Sequence, residues 1–139
     1  MKHYIILTLL LFAAGCSGGI KISGTVTYEE DGSPVKHGSV VFGDAQNTYQ
    51  GLIKDGKYVS GNKQPNRGIP AGQYKVWLLN ADDVDWKPNA DNTDKVRVYT
   101  QNVAPEYTSS STTPLTFEVK SSGAKTFDIK VKRAENSVR

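Results

Sequence analysis

The side chains that could do chemistry in this chain are few. Cys16 is the only cysteine in 139 residues, so neither a disulfide nor a multi-thiolate metal site can be built within the chain. His37 is the only histidine beyond residue 3. It follows the Pro34-Val35-Lys36 turn, where a solvent-exposed residue at a strand edge is the expected reading. The chain is rich in serine, but nothing in it resembles a nucleophile elbow: the one G-x-S-x-G match, at Ser17, directly follows the apolar leader run and no strand-to-helix turn. Glu29, Glu30 and Asp31 share one turn tip. Paired carboxylates that cleave glycosides face each other across a cleft, and a single tip offers none.

Two further groups could bind. Asp82, Asp83, Asp85, Asp91 and Asp94 fall in one polar segment, residues 80–95. Ca²⁺ takes oxygen ligands at alternate positions, a spacing echoed by Asn89-x-Asp91-x-Thr93, which makes Asp91 and Asp94 weak calcium candidates. No following glycine and no bidentate glutamate completes such a loop, so a solvated acidic loop is the expected reading. Trp77 and Trp86 are the two tryptophans. Trp77 lies within a strong strand pattern and is expected to pack between elements. Trp86 sits in the acidic segment beside Lys87-Pro88 and is the candidate for ligand binding, since an exposed indole can stack on a sugar face.

The first residues form a leader. Lys2 and His3 precede an uncharged, mostly apolar run at residues 4–14. That is the length of a signal-peptide core and falls short of the roughly 20 apolar residues a helix needs to cross a bilayer. Ala13-Ala14-Gly15-Cys16 resembles the lipobox of bacterial lipoproteins, although that family most often has leucine where Ala13 stands. The resemblance implies cleavage after residue 15, a diacylated Cys16 thiol and an acylated new amino group. Two or three acyl chains anchor a protein firmly where one binds marginally. Ser17, Gly18 and Gly19 would then form a tether of about 10 Å, holding the domain close to the bilayer. Ser17 also stands where some bacteria place an aspartate as an inner-membrane retention signal, so the resemblance favours the outer membrane.

The remainder is strand-forming. With 37% hydrophobic and 22% charged residues the chain has the composition of a globular protein, long enough for one domain. Ile20, Ile22, Val26 and Tyr28 alternate with polar residues, the period of a half-buried strand. Asp31-Gly32 predicts a turn that pairs residues 20–28 with a strand near 35–43. Residues 47–54 and 57–60 read as strands around an Asp55-Gly56 turn. Residues 61–72 read as a loop, and 74–79 as a central strand. Val96–Tyr99 reads as a short strand. Alternation at 115–119 and again at 127–131 predicts a closing hairpin. No segment keeps a helical period, so the expectation is an all-β, seven-stranded sandwich followed by a polar tail at 134–139. The net charge of +3 is small and interleaved with acids, which argues against a nucleic-acid partner.

Three motifs carry a second resemblance. ISGTVTYEEDGSPVKHGSVVF at 22–42, IPAGQYKVWL at 69–78 and APEYTSSSTTPLTFEVKSSGAKTFDIKV at 104–131 recur in this order. They are similar to small lipoproteins with a carboxypeptidase-regulatory-like domain, of the kind abundant in planctomycete-type bacteria. The resemblance implies a transthyretin-like or prealbumin-like (Ig-like) sandwich over residues 20–133 and no known activity. Enzymes on folds of this shape need more than one histidine: intradiol dioxygenases use two histidines and two tyrosines, and transthyretin-related hydrolases use several. Blue-copper sites need two histidines and a cysteine. The expectation is therefore a non-enzymatic, cofactor-free domain lipid-anchored at Cys16, with a structural or binding role in the cell envelope towards a protein or glycan. Independently of the family, Pro70-Ala71-Gly72 makes a tight turn that places Tyr74 for a tyrosine-corner bond to the backbone.

Overall fold

A computed structural model describes residues 19–61 and 68–135; Cys16 and the rest of the leader, part of the 61–72 loop and the tail from residue 136 lie outside them. The described chain is all-β. Its strands are β1 (Ser23–Tyr28), β2 (His37–Gly43), β3 (Thr48–Lys54), β4 (Lys57–Val59), β5 (Gly72–Leu79), β6 (Asp83–Pro88), β7 (Lys95–Thr100), β8 (Thr116–Val119) and β9 (Ile129–Val131). One 3-10 turn, Pro105–Thr108, lies between β7 and β8. Seven strands form one sheet in the order β8-β5-β2-β3-β4-β1-β9, and β6 and β7 form a separate two-stranded ribbon. Among the described residues no helix is long and apolar enough to cross a membrane.

The alternating residues read from the sequence supply the core. Ile22, Val26, Val40, Phe42, Val76, Leu78, Val119, Ile129 and Val131 are buried on the concave side. The sheet curls because its edges meet through side chains. Phe117 in β8 stacks on Phe127, just before β9, at 4.5 Å between ring centroids, and Phe42 meets Phe117 edge-on. Such aromatic pairs add about 0.5–1.5 kcal/mol beyond the area they bury.

Strand partners differ from the sequence expectation in two places. The residues around Asp31-Gly32 do turn back, with Gly32 N–H donating to the Tyr28 carbonyl and Val35 N–H to that of Val26. The return ends there, because Val26 N–H donates to the Gly56 carbonyl and β4 takes that edge of β1. β2 instead lies between β3 and β5. Likewise 115–119 and 127–131 form no hairpin: β8 pairs with β5, and β9 runs parallel to β1. Alternation states which face is buried but not which strand lies alongside. The Asp55-Gly56 turn is as expected, with φ of 49° and 77° matching the type I′ hairpin geometry.

Register divides the domain into two ends. Gly19 and Ile20 enter beside Ile69, and the paired residues Ser23 with Val59 and Gly72 with Val119 mark that same end. Tyr28, paired with Val131, and Leu79, paired with Ser39, lie at the other. The eight residues of β5 separate the ends by about 25 Å at roughly 3.3 Å per residue.

Tyr74 makes the expected corner, its hydroxyl donating to the Pro70 carbonyl at 2.7 Å. Burial pushes this hydroxyl up to about 12, so the folded state favours its neutral form. The stabilisation is complete below the ordinary tyrosine value of about 10 and is lost as pH rises towards 12. Tyr74→Phe is expected to cost about 1 kcal/mol in urea unfolding at pH 8. The gap between the two proteins should narrow between pH 10 and 12; a gap that stays constant would show that folding does not favour the neutral hydroxyl.

Candidate functional site

The end of the sheet opposite Gly19 gathers the groups with binding potential. The segment read as an acidic loop at 80–95 contains a strand, β6, and the turn that follows it: β6 and β7 pair from Asp83 with Thr100 to Pro88 with Lys95. Pattern reading misses it because every residue of β6 is exposed, so no apolar face marks a period. A free two-stranded ribbon is marginal in water, and this one is secured at its root. Ala81, Val103 and Ala104 are buried. Gly38, at φ 121°, lets β2 pass beneath Leu79 and Ala81, where a Cβ would collide. The His37 ring nitrogen bonds the Asp82 carbonyl at 2.7 Å and lies 3.8 Å from the Asp83 carboxylate. His37 is therefore exposed at the start of a strand, as expected, and it clasps the ribbon to β2.

Opposed residues in an antiparallel pair share a face. Val84 with Tyr99, Trp86 with Arg97, and Pro88 with Lys95 make one face; Asp83 with Thr100, Asp85 with Val98, and Lys87 with Val96 make the other. Trp86 is 58% exposed and Tyr99 62%. The Arg97 guanidinium lies 5.0 Å from the Trp86 ring centroid, a cation–π contact worth about 0.5–1 kcal/mol at an exposed site. Trp77, by contrast, is half-buried with its ring over Gly43. Tyr99, Arg97 and Lys95 escaped the sequence reading. Their alternation at every second residue, opposite Val84, Trp86 and Pro88, was the available signal.

Asp91 and Asp94 lie in the ribbon's turn, whose oxygens bond locally. The Asn89 side-chain oxygen accepts the N–H groups of Thr93 and Asp94, while the Asp94 carboxylate accepts that of Lys95. Among the described residues no group of three or more His, Cys, Asp or Glu is placed to hold a metal.

Beside the ribbon root lies a cleft of about 780 Å³ lined by Tyr28, Lys36, His37, Asp83, Asn102 and Arg133, among others. One wall is locked. The Arg133 guanidinium lies 3.8 Å from the Tyr28 ring centroid and bonds Asp31 Oδ2 at 3.0 Å and the Ser33 hydroxyl, while the Arg133 backbone N–H donates to the Glu30 carboxylate. Glu30 and Asp31, which the sequence offered as a solvated tip, are thus tied to a residue about a hundred positions away. The Ser33 hydroxyl and N–H, helped by Arg133, hold the Asp31 carboxyl down at about 2.

No family model and no curated protein matches the chain. Among solved structures, a 9R-lipoxygenase from Cyanothece PCC8801 aligns at 13% identity and a TM-score of 0.31. The match covers 81% of this chain and only 16% of the lipoxygenase, and at that score it carries no argument about fold or activity.

Because the Asp31 value is depressed, its contribution is complete above the ordinary carboxylate value of about 4 and is lost as pH falls towards 2. Asp31→Asn is expected to lower the urea midpoint at pH 7, with the deficit shrinking between pH 4 and 2. A deficit independent of pH would show that Asp31 charge does not tie the cleft wall.

Proposed function

We propose that this chain is a lipid-anchored, non-catalytic module of the bacterial cell envelope, attached through Cys16 and making contacts through the ribbon. In this reading the curled sheet is a transthyretin-like sandwich closed on itself, supported by the Phe117–Phe127 stack that draws its two edges together. The observation that carries the functional reading is polarity along the strands. The chain enters at Gly19–Ile20, and the exposed ribbon leaves from the other end. A tether of about 10 Å would keep the entry end at the bilayer, most simply the outer membrane, and present the ribbon about 25 Å further out.

A second, narrower reading is that the ribbon binds carbohydrate. Trp86 and Tyr99 on one exposed face favour it, since aromatic rings offer a flat apolar surface to a sugar ring.

Cys16→Ser is expected to move the protein from the detergent phase to the aqueous phase and abolish palmitate labelling. Retention of both label and partitioning would remove the anchor from the proposal. For the second reading, a saturable change in tryptophan fluorescence on saccharide titration should disappear in Trp86→Ala; persistence of the full signal would exclude the ribbon as its source.

A further inference from the structure

The acids among the paired ribbon residues are confined to one face. Lys95 and Arg97 share a face with Val84, Trp86, Pro88 and Tyr99, and none of those six is an acid. Asp83 and Asp85 project from the opposite face, where Lys87 accompanies them. The described ion pairs include neither Lys95 nor Arg97. An exposed ribbon that needed only solubility would gain from opposite charges placed across from each other, because such cross-strand pairs stabilise it. Here Arg97 instead faces an indole, so its guanidinium is steered over a ring with no carboxylate opposite. Two rings and two unpaired cations therefore lie together on one side of a two-stranded surface.

We propose that this face binds an acidic saccharide, one carrying carboxylates on a pyranose backbone; the inference rests on the carbohydrate reading of the ribbon and names its substrate class. Trp86 and Tyr99 supply stacking surfaces, and Arg97 presents a planar fork that matches a carboxylate in two parallel hydrogen bonds. Lys95, two residues along the same face, adds a second cation about 7 Å away at roughly 3.4 Å per residue. Charge complementarity selects an anion, and the rings select one with flat apolar faces. An anionic lipid surface would also suit aromatic and basic residues, but the ribbon leaves from the end of the sheet opposite Gly19.

The test titrates the purified full-length protein in detergent with a galacturonate hexamer and with its methyl-esterified, uncharged form. The acidic hexamer is expected to bind about tenfold more tightly at low salt, the gap closing as ionic strength rises. Arg97→Ala should remove most of that gap, Arg97→Lys should keep part of it, and Trp86→Ala should weaken both forms, each variant retaining the wild-type circular dichroism. Equal binding of the two forms, insensitive to Arg97, would overturn acid selection and leave the carbohydrate reading standing. Binding of neither form would overturn both. Arg97-dependent binding to phosphatidylglycerol vesicles or to oligothymidylate, tighter than to the acidic hexamer, would overturn the proposal in favour of that partner.

Discussion

The parallel pairing of Val26–Tyr28 with Ile129–Val131 is the constraint on which the rest of the structure depends. It sets the last strand beside the first, so the intervening chain must leave one edge of the sheet and come back to it. The closure is entropically costly and rests on groups far apart in sequence. Phe117 and Phe127 draw the two edges together, Tyr58 donates its hydroxyl to the Phe127 carbonyl, and Arg133 reaches back to Glu30, Asp31 and Ser33. Without β9 in place the concave face would lose both Ile129 and Val131 and stand open to water.

What could be seen in the sequence follows from how local each interaction is. The Tyr74 corner spans four residues and the Asp55-Gly56 turn two, and both stand where composition places them. Most strands of the large sheet are equally visible, because one side is buried and the alternation records it, while β2 is buried along both sides from Ser39 to Gly43. Their partners are not, since an apolar side fits any neighbour of the right parity. Glu30 and Asp31 look like a solvated tip until Arg133 is beside them. The ribbon is the extreme case: with β6 wet on both faces only part of β7 is legible, at Val96–Tyr99, and among the candidate binding side chains Trp86 alone stands out by its type.

The two ends of the sheet divide the work. At one, Ile20 and Ile69 pair where the chain enters, and the connection towards Cys16 leaves. At the other, buried Ala81, Val103 and Ala104 root a ribbon that is otherwise solvated. The His37 contact with Asp82 fixes the first strand of the ribbon, and the cleft walled by Arg133 lies beside the same root. The large sheet thus carries an exposed ribbon whose side chains do not contribute to its core.

That separation has an evolutionary consequence. Outside its root, the segment from Asp83 to Thr100 holds no core residue, so substitutions or changes of length there leave the packing of the large sheet untouched. In the proposed reading, stability and recognition are consequently under independent selection. Related proteins can diverge in the ribbon while keeping the same strands, and comparison of relatives should find the fastest change there.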